Sequence, residues 1–145
     1  MKKRVNPLPF LITWNDFVKC GVIGWCMEIV FTAIGSLRRR EMQLVGQTSL
    51  YMFPIYGCAA LFKPVFFLVK RLSFPLRGLL YAVSIFTAEF LSGKFLSRHS
   101  ICPWNYGCHR WHVDGLIRLD FLPLWSMAGL LYEHVLTKPY AGRKY

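Results

Sequence analysis

The stretch GVIGWCMEIVFTAIG, residues 21–35, sets one carboxylate, Glu28, in a row of small residues: Gly21, Gly24, Thr32 and Gly35. Steps of three and four put that row on one helix face. The design recurs in GLLYAVSIFTAEFLS, residues 78–92, where Gly78, Ala82, Ile85 and Ser92 frame Glu89. It recurs again in SMAGLLYE, residues 126–133, where Ser126 and Gly129 precede Glu133. Small residues let helix backbones approach closely in a bilayer, and a carboxylate on that stripe points into the bundle rather than at lipid. The pattern predicts membrane helices packed around a buried acidic site.

Composition agrees with that expectation. Residues are 54% hydrophobic and only 17% charged, and the charges cluster so that long apolar spans are left between them. Four spans, 17–34, 50–69, 76–96 and 121–136, approach the ~20 residues that cross a hydrocarbon core, the last being short. A chain of this length holds one domain, so residues 1–145 are read as a single integral membrane domain. Lys19, Glu28, Lys63, Glu89, Lys94 and Glu133 interrupt the spans, which keeps a soluble helical protein with an apolar core as the alternative. Aromatic residues beside the span ends favour the membrane. The net charge of +11 does not form a nucleic-acid stripe, because the basic residues sit at the span ends, where they meet anionic headgroups.

Lys2, Lys3 and Arg4 before an apolar run resemble a signal peptide, but Pro7, Pro9, Asn15 and Asp16 break its core, so the first span is expected to be retained. Lys2, Lys3, Arg4, Lys70, Arg71, Arg77, Lys138, Arg143 and Lys144 put nine basic residues at the termini and second loop. Arg38, Arg39, Arg40, Arg98, Arg110 and Arg118 put six in the first and third loops, and the positive-inside rule then predicts both termini in the cytoplasm. The five cysteines contain no Cys-x-x-Cys pair, which disfavours thiol-redox chemistry; a Cys102–Cys108 disulfide is left open.

Pro54 and Pro64 predict a kinked second span, since each removes a backbone hydrogen bond. Thr48 and Ser49 are placed to cap it. Residues 97–118 form a long aromatic loop expected to fold back over the bundle, with Trp104, Tyr106 and Trp111 at headgroup level. Spans one and three share a layout, from Glu28 to Arg38 and from Glu89 to Arg98, which suggests two related helical hairpins.

With the termini inside, Glu28 and Glu89 fall in the half of the bundle nearer the long loop. Lys94, Arg98, Arg118 and Asp120 would lie above them and Tyr51 or Tyr56 opposite. A carboxylate in hydrocarbon must be paired, hydrated or protonated. The pair is therefore either a pocket for a cation, proton or polar headgroup, or an interhelical strut such as Glu89 with Lys94 or Glu28 with Arg118. Glu133, nearer the opposite interface, leans to the strut. Cys102, Cys108, His109 and His112 have zinc-compatible chemistry but not the spacing of a finger. Neither a nucleotide-binding loop nor a nucleophile elbow is present, so ATP-driven work needs a partner and serine hydrolysis is unsupported.

These residues resemble the CmpB family of ABC-transporter type IV proteins and its animal branch, transmembrane protein 229. The matching elements are Gly24-Trp25-x-x-Glu28, Thr48-Ser49 leading to Pro54-Ile55-Tyr56-Gly57, Glu89-x-x-x-Gly93 and Cys102-Pro103-Trp104-Asn105-Tyr106. Gly115-Leu116-Ile117-x-Leu119, Pro123-x-Trp125 and Glu133 complete the set. Relatives commonly carry Asp and Ser where this chain has Asn105 and Gly107, which removes a carboxylate and weakens any catalytic or metal reading of the loop.

The resemblance implies a small multi-pass membrane protein. The expected architecture is an all-α bundle of four transmembrane helices with the aromatic loop between helices three and four. The expected binding set is Glu28, Glu89, Trp25, Tyr56, Trp104, Asn105, Tyr106, Arg118 and Glu133, with no catalytic residue, metal ligand or cofactor assigned. The leading function is a permease-like subunit that binds or passes a small polar or cationic solute, with an ATPase or other membrane subunits as partners and homo-oligomers allowed. The alternatives are an intramembrane enzyme acting on a lipid headgroup, and an assembly factor without ligand. Gly21, Gly24, Gly78, Ala82 and Gly129 are expected to face other helices, and Leu79, Val83, Phe86 and Phe90 to face lipid.

Overall fold

Thr13 starts the first helix, α1, Trp14–Arg38. Its hydroxyl accepts from the Asp16 N–H at 3.2 Å, and Asp16 Oδ2 accepts in return from the Thr13 N–H at 2.9 Å. This capping box satisfies two of the N–H groups that a helix start leaves open. The computed structural model describes residues 11–138. Lys2, Lys3, Arg4, Pro7, Pro9, Arg143 and Lys144, and with them much of the orientation argument, lie outside the described residues.

The second span is broken as expected at Pro64, whereas Pro54 stands in the first turn of α2, where its missing N–H costs nothing. The span runs as α2, Met52–Gly57, a 3-10 segment Cys58–Phe62, α3, Lys63–Leu68, and a further 3-10 turn Val69–Arg71. Pro64 has no N–H to give and its ring crowds the carbonyl four residues back, so the chain tightens ahead of it. The third helix, α4, covers Phe74–Arg98 and the fourth, α5, covers Leu122–Thr137; each takes a proline in its first turn, where a missing N–H costs nothing.

α1 and α4 end alike. After each, a residue takes left-handed backbone, Arg40 at φ 60° and Ser100 at φ 57°. The next N–H then folds back, Glu41 onto the Ser36 carbonyl at 3.1 Å and Ile101 onto that of Leu96 at 3.0 Å. The same cap closes both 25-residue helices. Each helix then pairs with the one that follows it: α1 packs on α2, α4 on α5, and α3 against α5 joins the two hairpins.

Glycines make those contacts. A Cβ on Gly24 would fall 2.1 Å from the Tyr56 ring, one on Gly21 2.7 Å from Phe53, and one on Gly129 2.3 Å from Tyr81. Ala82 is fully buried, and Gly78 faces Ser126 and Leu130. Gly35 differs from the rest of its row: only Arg39 comes near it.

Leu79 and Val83 are exposed as expected, but Phe86 is buried and Phe90 half-buried. Phe86 stands one helical turn after Ala82, so the helix period puts it on the inner stripe. Val22, Val30, Ile34, Leu79, Val83 and Leu91 are exposed while Asp16, Ser36, Lys63 and Glu133 are buried. A water-soluble helical protein has the reverse arrangement, so the apolar belt belongs to lipid.

Three of the described helical spans, Trp14–Arg38, Met52–Arg71 and Phe74–Arg98, are long and apolar enough to cross a membrane. α5 does not reach that length: its 16 residues rise about 24 Å against a hydrocarbon core of about 30 Å. The first three helical spans extend beyond their apolar cores because polar residues at their ends continue the helix. The long loop departs from all-α: β1, His112–Val113, pairs antiparallel with β2, Ile117–Arg118. Asp114 and Gly115, both at positive φ, turn the hairpin, where Asp and Gly are the residues that tolerate such backbone.

Candidate functional site

Residues 45–49 lie extended along one stripe of α1 and are hydrogen-bonded to it at every turn. Trp25 Nε1–H donates to the Ser49 carbonyl at 3.0 Å, and Ser36 Oγ–H to that of Val45 at 3.2 Å. The Thr32 hydroxyl accepts from the Gln47 N–H at 2.8 Å. Between these, the Thr48 hydroxyl donates to Glu28 Oε2 at 2.6 Å. Thr48 is thereby turned away from the second span, while Ser49 Oγ accepts from the N–H of Tyr51, the residue before α2, at 3.2 Å; no side chain caps the first turn of α2 itself. The small residues Thr32 and Ser36 admit an extended backbone and satisfy its polar groups, which non-helical chain in a membrane protein requires.

Glu89 is served in the same way by the loop that follows its own helix. Tyr106 OH donates to Glu89 Oε1 at 3.2 Å. The tyrosine is fixed by the turn around it. Its N–H donates to the Gly115 carbonyl at 2.8 Å, Trp104 Nε1–H donates to that of Leu116 at 3.0 Å, and Asn105 Oδ1 accepts from the Gly107 N–H at 2.8 Å. Trp104 and Leu116 rest on Gly93, where a Cβ would meet each at 3.1 Å, so this glycine lets the loop seat on α4. Burial first, and the Glu89 carboxylate next, push the Tyr106 hydroxyl above the ordinary tyrosine range, so it stays a proton donor. Glu89 Oε2 is buried without a hydrogen-bond partner, as is Trp125 Nε1.

Both glutamates line one inner cavity of about 240 Å³, walled mostly by apolar and aromatic residues of the second span, α4 and α5, including Ile55, Phe62, Phe66 and Ile85. A second, more polar cavity of about 450 Å³ adjoins it under the loop, with Gln47, Thr48, Asn105, His109 and Arg118 in its wall. Glu28, Tyr56, Trp104, Tyr106 and Trp125 line both and form the neck between them. Tyr56 reaches the neck because Gly24 leaves its ring room.

Of the residues the sequence singled out, Glu28, Tyr56, Trp104 and Tyr106 meet at the neck; Glu89 lines the inner cavity alone, bonded to the neck's Tyr106, and of the two cavities Asn105 and Arg118 line only the outer one. Trp25 and Glu133 line neither. Trp25 holds residues 45–49, and Glu133 accepts from Tyr81 OH at 3.0 Å beside Arg77 Nε at 3.4 Å. Tyr51 is exposed and Tyr56 takes the place opposite. Trp111 is also exposed, while Trp104 and Tyr106 turn inward.

The strut pairs do not form: among the described residues, Glu28 and Glu89 enter no ion pair. Lys94 lies over the Phe90 ring instead, and Arg118 is engaged by Asp120, the nearer carboxylate in sequence. That bond holds the Asp120 carboxyl below the usual range. Cys102, Cys108, His109 and His112 do not converge. Cys102 Sγ–H donates to the Trp104 carbonyl, His112 Nδ1 accepts from the Gly115 N–H, His109 meets Arg118, and all five cysteines are free. Sequence reasoning left Trp125 and Thr48 out of the site. Trp125 stands one turn before Gly129, on the inner face of α5, and that spacing was the available signal.

Two helical hairpins, an apolar belt and carboxylates turned inward define an integral membrane protein with a polar site inside its helices. The chain belongs to the family described as "Putative ABC-transporter type IV", whose model matches residues 16–143. No solved structure matches it.

Proposed function

We propose that the neck binds a small cationic group and that the chain serves as a permease-like subunit of a transporter. One observation carries this. Each glutamate takes a hydrogen bond from a neutral loop hydroxyl, neither enters an ion pair among the described residues, and aromatic rings surround them. Half-buried carboxylates without a cation of their own leave room for one that arrives, and aromatic faces strengthen its binding by about 2 kcal/mol where water is excluded. Arg118 does not compete, since Asp120 holds it. The absence of a nucleotide loop makes an ATPase or other membrane subunit the partner this reading requires. We also read α5 as a fourth crossing that thins the bilayer around it, with both termini cytoplasmic; a reporter fused at each end tests this, and opposite locations would refute it.

The test of binding is calorimetry of tetramethylammonium against purified protein in a neutral detergent. Glu28→Gln and Glu89→Gln should each weaken binding by about tenfold or more, equivalent to ~1.4 kcal/mol, while leaving the protein folded. Wild-type affinity in both variants would overturn the reading. A second reading, an enzyme acting on a lipid headgroup with Glu89 as general base, draws support from that residue's unpartnered oxygen. Lipid turnover that Glu89→Gln abolishes would favour it.

A further inference from the structure

The inner cavity has a mouth of its own, distinct from the loop side. Residues that both line it and are exposed are Cys58 and Leu61 on the second span and Ala88 on α4. Leu61 is 61% exposed. All three stand inside helical spans long and apolar enough to cross a membrane, so the mouth opens at the depth of acyl chains rather than toward water. The second span and α4 pack only slightly on each other there: α4 packs mainly on α5, and the second span on α1 and α5. Phe66 against Tyr81, centroids 5.0 Å apart, closes one end of the chamber. The outer cavity instead opens through polar and exposed groups, Gln47, Thr48, Asn105 and His109.

A small hydrated cation needs only the polar entrance. It gains nothing from a second chamber walled by Ile55, Phe62 and Ile85 and open sideways to lipid. A molecule with an ammonium head and a hydrocarbon chain uses both parts. Its head sits between Glu28 at the aromatic neck and Glu89 just inside it, and its chain lies in the apolar chamber and leaves between the second span and α4. We infer that the ligand is such an amphiphile, an ammonium-headed molecule that enters laterally from the bilayer. The inference rests on the cation-binding reading of the neck and adds the chain and the route.

A series from tetramethylammonium through butyl- to hexyltrimethylammonium, all soluble as monomers, separates the two. If the chain enters the apolar chamber, each methylene transferred from water should tighten binding by up to about fourfold. Leu61→Trp and, independently, Ala88→Trp should draw the hexyl-to-tetramethyl affinity ratio toward one by filling the mouth. Equal affinity across the series in wild-type protein overturns the amphiphile and leaves the cation site standing. A chain-length gain that neither tryptophan variant diminishes overturns the lateral mouth. Binding of no member overturns both.

Discussion

Replacing Gly24 by alanine tests how α1 and α2 hold the neck in shape. The added Cβ would stand 2.1 Å from Tyr56 Cγ, 2.3 Å from its Cβ and 2.5 Å from Cδ2. Carbon atoms rest about 3.5–4.0 Å apart, so the overlap exceeds 1 Å by a rough count. Rotating the ring cannot remove it, because the Tyr56 Cβ is itself in contact and is tied to the α2 backbone. The two helices must separate, at the ~1–3 kcal/mol that overpacking costs. Gly35→Ala is the internal control: the nearest atom to its new Cβ is Arg39 Nη1 at 3.8 Å. In that open position alanine should gain about 0.5–1 kcal/mol from helix propensity. Gly24→Ala has the same propensity gain within α1, so the expected difference between the variants is the overpacking cost, about 1–3 kcal/mol. Unfolding in mixed micelles, followed by tryptophan fluorescence, measures it. Gly24→Ala should also weaken tetramethylammonium binding, since Tyr56 leaves the neck. Equal stability and equal binding in the two alanine variants would refute the packing argument.

Three further outcomes follow from the same contacts. Lys63 Nζ lies 2.7 Å from Asp16 Oδ2 and 2.9 Å from the Leu11 carbonyl, largely buried, so Asp16→Asn should cost about 3–5 kcal/mol in the same unfolding assay; a loss below 1 kcal/mol by rough count would mean water reaches the pair. Tyr81→Phe leaves Glu133 Oε2 with Arg77 alone and should cost about 1–3 kcal/mol in the same unfolding assay, whereas unchanged stability would remove the Tyr81–Glu133 bond from the account. Asp120 has its carboxyl held below the ordinary value of 3.8 by the Arg118 hydrogen bond, so its contribution is whole above that pH and is lost as pH falls through the lower, folded value. Melting temperature should therefore drop on acidification below about pH 4, and Asp120→Asn should shrink that drop; an unchanged acid limb would remove the pair from the account.

The helices and their contact faces were legible because they rest on period and residue size. Gly21, Gly24, Gly78, Ala82 and Gly129 mark the contacts without further information, and Pro64 marks the break in the second span, whereas Pro54 only opens its first helix. Phe86, expected with Leu79 and Val83 on the lipid face, belongs with Ala82 when counted by turns. The partners of the glutamates were harder to read, since Thr48 lies 20 residues beyond Glu28 and Tyr106 lies 17 beyond Glu89. No local pattern announces such a return of the chain. The hairpin at Asp114-Gly115 carried a turn signal, but strands of two residues are too short to show an alternation. Arg118 illustrates a competition that sequence alone does not decide. It had Glu28 as a distant partner and Asp120 two residues away, and the local one prevailed.

The central claim is that a cation sits between Glu28 and Glu89, enclosed by Tyr56, Trp104, Tyr106 and Trp125. Intermolecular nuclear Overhauser effects between the methyl protons of bound tetramethylammonium and the aromatic ring protons of the protein report on this directly. The account predicts cross-peaks to those four rings and their loss in Glu28→Gln and Glu89→Gln. Cross-peaks confined to the exposed rings of Trp14 and Trp111 would contradict it.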